Sequence, residues 1–438
     1  MKHLLSKNFL YAFLMIAASC SERDDSPSVE PTDVTIQVTY SEDFDREPAS
    51  ATAVSIRNTT SQQIFEGETS SDGSIVFEAV PSGIYDISAS ITMDSDAFFA
   101  FAGYLPDGDE VVFNANQTAV PINTGASSFT LELVSGRLGN LIIKQVYAAG
   151  SDRVDGALFR DQFIEIYNNS TETQYMDGLY LMGVAGRTSN TVTDFTQPDG
   201  QWDWTKSIGM SATGDPNNDY VYAKWLFQFP GSGQQYPVEP GESVIMASTA
   251  INHKAPFTGN NGTTITVNNP DLTVDLSNAD FEVYLGNDVP QPLASDIDNA
   301  NVPNMLNILW MGTDLILDTN GRESIILFES ETDVRDFPRY PTPNTNNIGN
   351  STVLRHQIPK SLIIDGVEGQ ASPTNQVPKM LPNDIDAGFF YVPGGSYSSE
   401  AGIRLTASTF GDRRVMKDSN NSENDVISKK ANPRGFAD

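Results

Sequence analysis

From Val34 onward the chain alternates apolar and polar residues in short runs separated by turn residues, with no long repeat of 3.6-residue period. A two-residue period puts successive side chains on opposite faces, so each run predicts a half-buried β-strand. Val34-Thr35-Ile36-Gln37-Val38-Thr39-Tyr40 is the clearest, and Ala53-Val54-Ser55-Ile56 follows it. Asp72-Gly73 stands between Glu66-Gly67-Glu68-Thr69 and Ile75-Val76-Phe77. Gly tolerates the positive φ that tight turns demand, so a hairpin is expected there. Pro81-Ser82-Gly83 turns the chain again before the run Ile84 to Ala89. A second series opens after the turn-rich Gly136-Arg137-Leu138-Gly139-Asn140, with runs at Leu141 to Tyr147, Gln162 to Asn169 and Met176 to Leu181. The pattern predicts an all-β protein of two units, residues 34–135 and 136–438, meeting near Ser135 to Asn140.

The first 33 residues read differently. Lys2 and Lys7 precede an uncharged apolar run, Phe9 to Ala18, that is shorter than the roughly 20 residues a membrane-spanning helix needs. Residues 1–19 are therefore a signal segment, and Ala17, Ala18 and Ser19 are small enough for a peptidase to close around. Cys20, the single cysteine of the chain, follows at once. The arrangement resembles the lipobox of bacterial lipoproteins, although Ala17 stands where many carry Leu. The resemblance implies that the Cys20 sulfur takes a diacylglycerol and anchors the protein to a membrane. Residues 20–33, rich in Ser, Pro and acids, form a solvated tether. The Ser21-Glu22-Arg23-Asp24-Asp25 start is similar to the signal that sends Bacteroidota lipoproteins to the outer leaflet of the outer membrane, which implies display on the cell surface. A periplasm-facing anchor is the alternative.

Charge narrows the partners. Without Lys2 and Lys7 the chain carries 57 acidic against 24 basic side chains, a net of −33. Phosphate backbones and anionic polymers are repelled by such a surface, so nucleic-acid binding is not expected. Charged residues make up only 19% of the chain and hydrophobic ones 39%, a globular composition. A lone, lipidated cysteine leaves no internal disulfide, and the mature chain offers only His253 and His356 as imidazoles, which argues against a zinc or copper site.

Three resemblances add to this reading. The stretch SSDGSIVFEAVPSGIYDISAS resembles the central hairpin of carboxypeptidase-regulatory or prealbumin-like sandwiches, and implies that fold for residues 34–135. The series LIIKQVY, DQFIEIYNNST and YMDGLYLMG, the Phe229-Pro230-Gly231 and Val238-Glu239-Pro240-Gly241 turns, and the closing DRRVMKDSNNSENDV resemble lamin-tail immunoglobulin-like sandwiches. They imply a second sandwich over residues 136–438, with long additions at 186–219 and 251–402 that the resemblance leaves unexplained. The whole resembles a family of uncharacterised Bacteroidota lipoproteins, domain of unknown function 4876, which implies a fold and an address but no activity. The expected fold class is thus two immunoglobulin-like β-sandwich domains behind a lipoprotein signal and flexible tether.

Candidate chemistry is sparse. No G-x-S-x-G, His-Glu-x-x-His or phosphate-cradling Gly loop occurs, which points away from an enzyme, and no catalytic residue is assigned. Glu165 reads as a polar strand position turned to solvent. Asp418, Asn420, Ser422 and Asn424 have the alternate spacing of early EF-hand ligands, but Glu423 stands where that loop needs Gly and Lys429 where it needs Glu. With the Asp296-Ile297-Asp298-Asn299 and Asp318-Thr319-Asn320-Gly321 turns, it leaves structural calcium open and assigns no metal ligand. In an extended segment Trp202 and Trp204 would project to one side and could form a platform for a sugar or another flat ligand. Burial against the sandwich is the favoured reading, and Trp225 and Trp310 read as core. Two functional classes remain: a surface-anchored, non-enzymatic binding or accessory module for an outer-membrane partner or transporter, and a glycan-binding or glycan-processing surface lipoprotein.

Overall fold

The computed structural model describes residues 31–41, 44, 46–102, 110–123, 125, 127–135, 141–170, 172–410 and 413–438. The signal, Cys20, most of the tether and the 136–140 junction lie outside the described residues. Strands account for 39% of residues and helices for 6%, so the protein is all-β, as the alternation predicts. Among the described residues no helix is long and apolar enough to cross a membrane.

The first seven strands are β1 (Thr32–Tyr40), β2 (Ala53–Asn58), β3 (Ile64–Glu68), β4 (Ser74–Val80), β5 (Gly83–Asp94), β6 (Glu110–Ile122) and β7 (Ser127–Ser135). They are ordered β3-β2-β5-β6-β7-β1-β4. Strands β6 and β7 touch at only two register positions, Phe113 with Ser135 and Asn114 with Val134, so the sheet folds there into two layers. Between the layers lie Val34, Ile36, Val38, Val54, Ile56, Tyr85, Ile87, Phe113, Leu131 and Leu133. The expected hairpin at Asp72-Gly73 is corrected by this order. The turn itself forms: Asp72 Oδ1 accepts from Ser74 N at 3.0 Å, and Gly73 has φ +76°. Yet β3 pairs with β2 and β4 with β1, at opposite ends of the strand order. The reason is the core. Phe65 and Phe77 meet edge to face at 6.4 Å, and a Cβ on Gly67 would sit 2.6 Å from Ile75 Cδ1, so β3 and β4 face each other across the layers. Pro81-Ser82-Gly83 also crosses between layers, pinned by Tyr85 Oη donating to the Pro81 carbonyl at 2.8 Å. The short helix Ser95–Ala102 escapes the sequence pattern; Asp94 Oδ1 accepts from Ala97 N at 2.7 Å and starts it.

The remaining chain builds a larger sandwich. One sheet runs Phe281–Glu282, Ser243–Ala247, β9 (Phe163–Asn168), β8 (Leu141–Tyr147), Glu400–Arg404 and Val426–Lys430. The facing sheet runs Arg339–Tyr340, Arg355–Pro359, Tyr220–Gln228, Tyr180–Val184, Ser324–Phe328, Ile363–Gln370 and Phe390–Tyr391. Ile143, Ile164, Ile166, Leu181, Trp225, Phe227, Ile325, Leu327 and Val367 fill the space between them. The additions unexplained by sequence do two jobs. The 251–402 segment supplies Ser324–Phe328 and Ile363–Gln370, two inner strands of the second sheet. It also covers outer faces: Val274, Leu276 and Val302 pack on Tyr147 and Phe163, while Val334, Ile358 and Leu381 pack on Tyr180 and Met182. That double covering is why every residue of β8, β9 and Tyr180–Val184 is buried.

The 418–425 loop and the 383–387 segment bring the two units together. Asn114 Nδ2 donates to the Ser419 carbonyl, Asn116 Nδ2 to the Ala387 carbonyl, and Arg57 pairs with Glu423. Asn383 Nδ2 reaches back to the Asn116 carbonyl at 2.9 Å.

Candidate functional site

Beside the Tyr220–Gln228 strand, the 186–219 addition folds into a compact loop around the two tryptophans. Gln197 N donates to the Gln201 carbonyl at 2.8 Å, and Thr196 bridges Trp202. Asp203 then caps a 3-10 turn, Trp204–Lys206, accepting from Thr205 N. Burial pushes the Asp203 carboxyl up, but hydrogen bonds from Thr205, Asn217 and Lys206 outweigh it and hold it at about 2. The turn breaks the two-residue alternation, and the indoles part. Trp204 is 5% exposed and lies flat on Tyr222, centroids 3.6 Å apart and planes 12° off parallel. Trp202 stays half-buried, with the Arg187 guanidinium 5.1 Å from its ring centroid. Arg187 is held in turn by the Thr191 and Gly200 carbonyls at 2.6 and 2.8 Å. Burial therefore describes Trp204, and a shared platform describes neither. Trp202 and Trp204 do line one cleft of about 200 Å³, together with Gln197, Asp199, Asn217 and Tyr220. Asp199 is the single carboxylate lining it among the described residues.

The other sequence candidates lie apart from this cleft. Glu165 overturns its solvent-facing reading: it is fully buried and pairs with Lys144 Nζ at 2.7 Å. A β-bulge between Ile143 and Gln145 lets two neighbouring residues reach one carboxylate, and Gln145 Nε2 donates to it at 2.9 Å. Arg434 N donates to the same carboxylate at 3.0 Å, and the Phe436 ring lies 4.0 Å from Lys144 Nζ, so the last residues cover the pair. Burial lowers the Lys144 ammonium, and Glu165 pulls it back up. His253 and His356 are both buried, and burial brings each down to about 4.

The EF-hand-like loop has a cation of its own. Arg404 sends one guanidinium nitrogen to Asp418 at 2.9 Å and another to Asp365 at 2.9 Å, with Asp425 at 3.7 Å. Asn421 caps a short turn, Ser422–Asp425, and Asp386 accepts from Ser422 N at 2.8 Å. Asp318 closes its turn by accepting from Asn320 N at 2.9 Å and pairing with Arg322. Asp296 accepts from Leu285 N at 3.1 Å. Among the described residues no group of three or more His, Cys, Asp or Glu is placed to hold a metal ion. Trp225 is fully buried as core, its Nε1 donating to Glu323 at 2.8 Å. Trp310 is half-buried against that core, its Nε1 donating to the Asp314 carbonyl at 3.0 Å. Sequence reading missed Arg187 and Arg404; an isolated Arg carries no periodic signal that would have found either.

Residues 239–433 match the model of a family described as a protein of unknown function, DUF4876. The resemblance to DUF4876 is borne out. A DUF4876 family protein from Bacteroides thetaiotaomicron has a similar crystal structure over 93% of this chain and 98% of its own, at 22% identity and a TM-score of 0.52. At that identity the likeness speaks for the fold alone. The chain is also similar to a 5-hydroxyisourate hydrolase from Klebsiella pneumoniae over 24% of its length and 92% of the other's. That match, at 18% identity and a TM-score of 0.15, carries no argument about fold or activity. No curated protein matches the chain. The DUF4876 match covers the Arg404 cluster and the Asn383 rim, whereas Trp202 and Trp204 precede it.

Proposed function

We propose that the chain is a non-enzymatic binding module that holds carbohydrate in the cleft beside Trp202, carried at the outer membrane by a lipid on Cys20. The observation that supports it is the half-buried Trp202 indole in a cleft lined by amide and carboxyl groups. A sugar ring offers a face of C–H groups and a rim of hydroxyls. An indole packs on the first, and polar side chains at the rim hydrogen-bond the second. Asp199, Asn218 and Asn383 are exposed at that rim. Glycoside hydrolysis ordinarily uses a pair of carboxylates across one sugar ring; among the described residues Asp199 alone lines the Trp202 cleft, and Asp384 in the adjoining hollow is held in an ion pair with Lys360 at 2.8 Å, which supports binding without turnover.

Calorimetry with neutral glycans selected on an array tests the reading. Trp202→Ala is expected to weaken binding about tenfold or more, near 1.4 kcal/mol, with the circular dichroism spectrum and melting temperature unchanged. Unchanged binding by Trp202→Ala, or release of shorter sugars by the wild-type chain, would overturn it.

A further inference from the structure

The Trp202 cleft does not end at the second unit. A hollow of about 360 Å³ opens at the seam, lined by Asn116, Gln117 and Glu132 from the first unit and by Lys360 and Asp384 from the second. Asn218, Pro382 and Asn383 border both the hollow and the cleft, so the two form one groove. Its chemistry is continuous as well. Asn116, Gln117, Asn218 and Asn383 carry amides; each nitrogen already donates once within the protein, to the Ala387 carbonyl, the Thr130 carbonyl, Asp215 and the Asn116 carbonyl in turn, which leaves each amide its second N–H and its oxygen for a sugar hydroxyl. Lys360 and Asp384 pair at 2.8 Å and cancel each other's charge. Lys379 also lines the cleft, but its Nζ is turned to the Leu381 and Asp386 carbonyls; the other carboxylates of the groove, Asp199 and Glu132, sit on a chain of net charge −31 and disfavour anionic polymers.

We infer that the seam hollow is a second sugar subsite, so that the groove takes a neutral oligosaccharide running from Trp202 to Gln117 rather than a single ring. The inference rests on the reading of the Trp202 cleft as a sugar site and extends it to chain length, charge class and the first unit. Among the described residues the direct polar ties between the units are few, and an oligosaccharide lying across the seam adds contacts to both sides. A ligand that binds only the docked arrangement stabilises it by mass action.

The test is titration of the full mature chain with di-, tetra- and hexasaccharides of neutral glucan and mannan, beside a polygalacturonate ladder of matching lengths. Affinity for one neutral series is expected to rise about tenfold from di- to hexasaccharide. Gln117→Ala, and separately Glu132→Trp at an exposed position, should abolish that gain and leave disaccharide binding unchanged. A gain that persists in both variants overturns the seam subsite and leaves the Trp202 site standing. Tighter binding of polygalacturonate overturns the neutral class. Failure of every neutral sugar, or binding untouched by Trp202→Ala, overturns the underlying reading and the subsite with it.

Discussion

Arg404 joins three carboxylates from two places in the chain, and its removal would strand them. It reaches from the Glu400–Arg404 strand to Asp365 in the facing sheet and to Asp418 and Asp425 in the loop that docks on the first unit. Burial raises the Asp365 carboxyl, and Arg404 offsets only part of that rise. Arg404→Met fills the space without the charge and should cost about 3–5 kcal/mol in urea unfolding, because the carboxylates stay buried without their partner. A loss below about 1 kcal/mol would show that they find other partners. A second set of acids has the Arg160 guanidinium near Asp161 and Asp314, but among the described residues no ion pair closes on it. Burial raises Asp161 to about 7 and Asp314 to about 6, and burial together with Asp314 raises Asp296 to about 7. An unfolded carboxyl titrates near 3.8, so between that value and about 7 the folded state binds more protons than the unfolded one. Stability contributed by these groups is therefore highest at low pH and falls as pH rises through that window, then levels off. Asp314→Asn should flatten the melting temperature against pH between 4 and 7, and an unchanged slope would place the dependence elsewhere.

At the scale of elements, local order was legible where one face of a strand is wet and the other buried. Strand β1 alternates buried and partly exposed residues along its whole length, and sequence found it within two residues. Choice of partner was less legible. The Asp72-Gly73 turn is correct as chemistry, but which strands lie beside β3 and β4 is settled by Phe65, Gly67, Ile75 and Phe77 meeting across the core, contacts that no turn residue reports. Glu165 was misread for a related reason: its partner Lys144 is 21 residues away, and the covering segment comes from the end of the chain. The site was half legible, since Trp202 and Trp204 stand out in the sequence but Asn383 and Gln117 come from distant segments. Because all of β1–β7 and their core fall between Thr32 and Ser135, a fragment of residues 32–135 is expected to give a sheet-type circular dichroism spectrum and one cooperative melt. A featureless spectrum would show that the unit needs the second sandwich to fold.

For the molecule as a whole, location and binding are separate questions. Cys20→Ala is expected to move the protein from the membrane fraction to the soluble one or to leave it unprocessed, with sugar affinity unchanged; unaltered partition and processing would remove the anchor. Cross-linking in intact cells, read at Lys206, Lys224 and Lys379, tests for an envelope protein beside it. Under that anchoring, the order of strands in the first unit sets how the molecule answers a pull. The tether enters at the start of β1, and the chain leaves for the second unit from the end of β7. These two strands run parallel, in register from Val34 with Ser127 to Tyr40 with Leu133, and β4 holds the other side of β1. If Cys20 is anchored and a load is borne by the second unit, β1 is drawn one way and β7 the other. The hydrogen bonds between them are then strained together in shear instead of being unzipped one at a time, which suits the unit to act as a mechanical link.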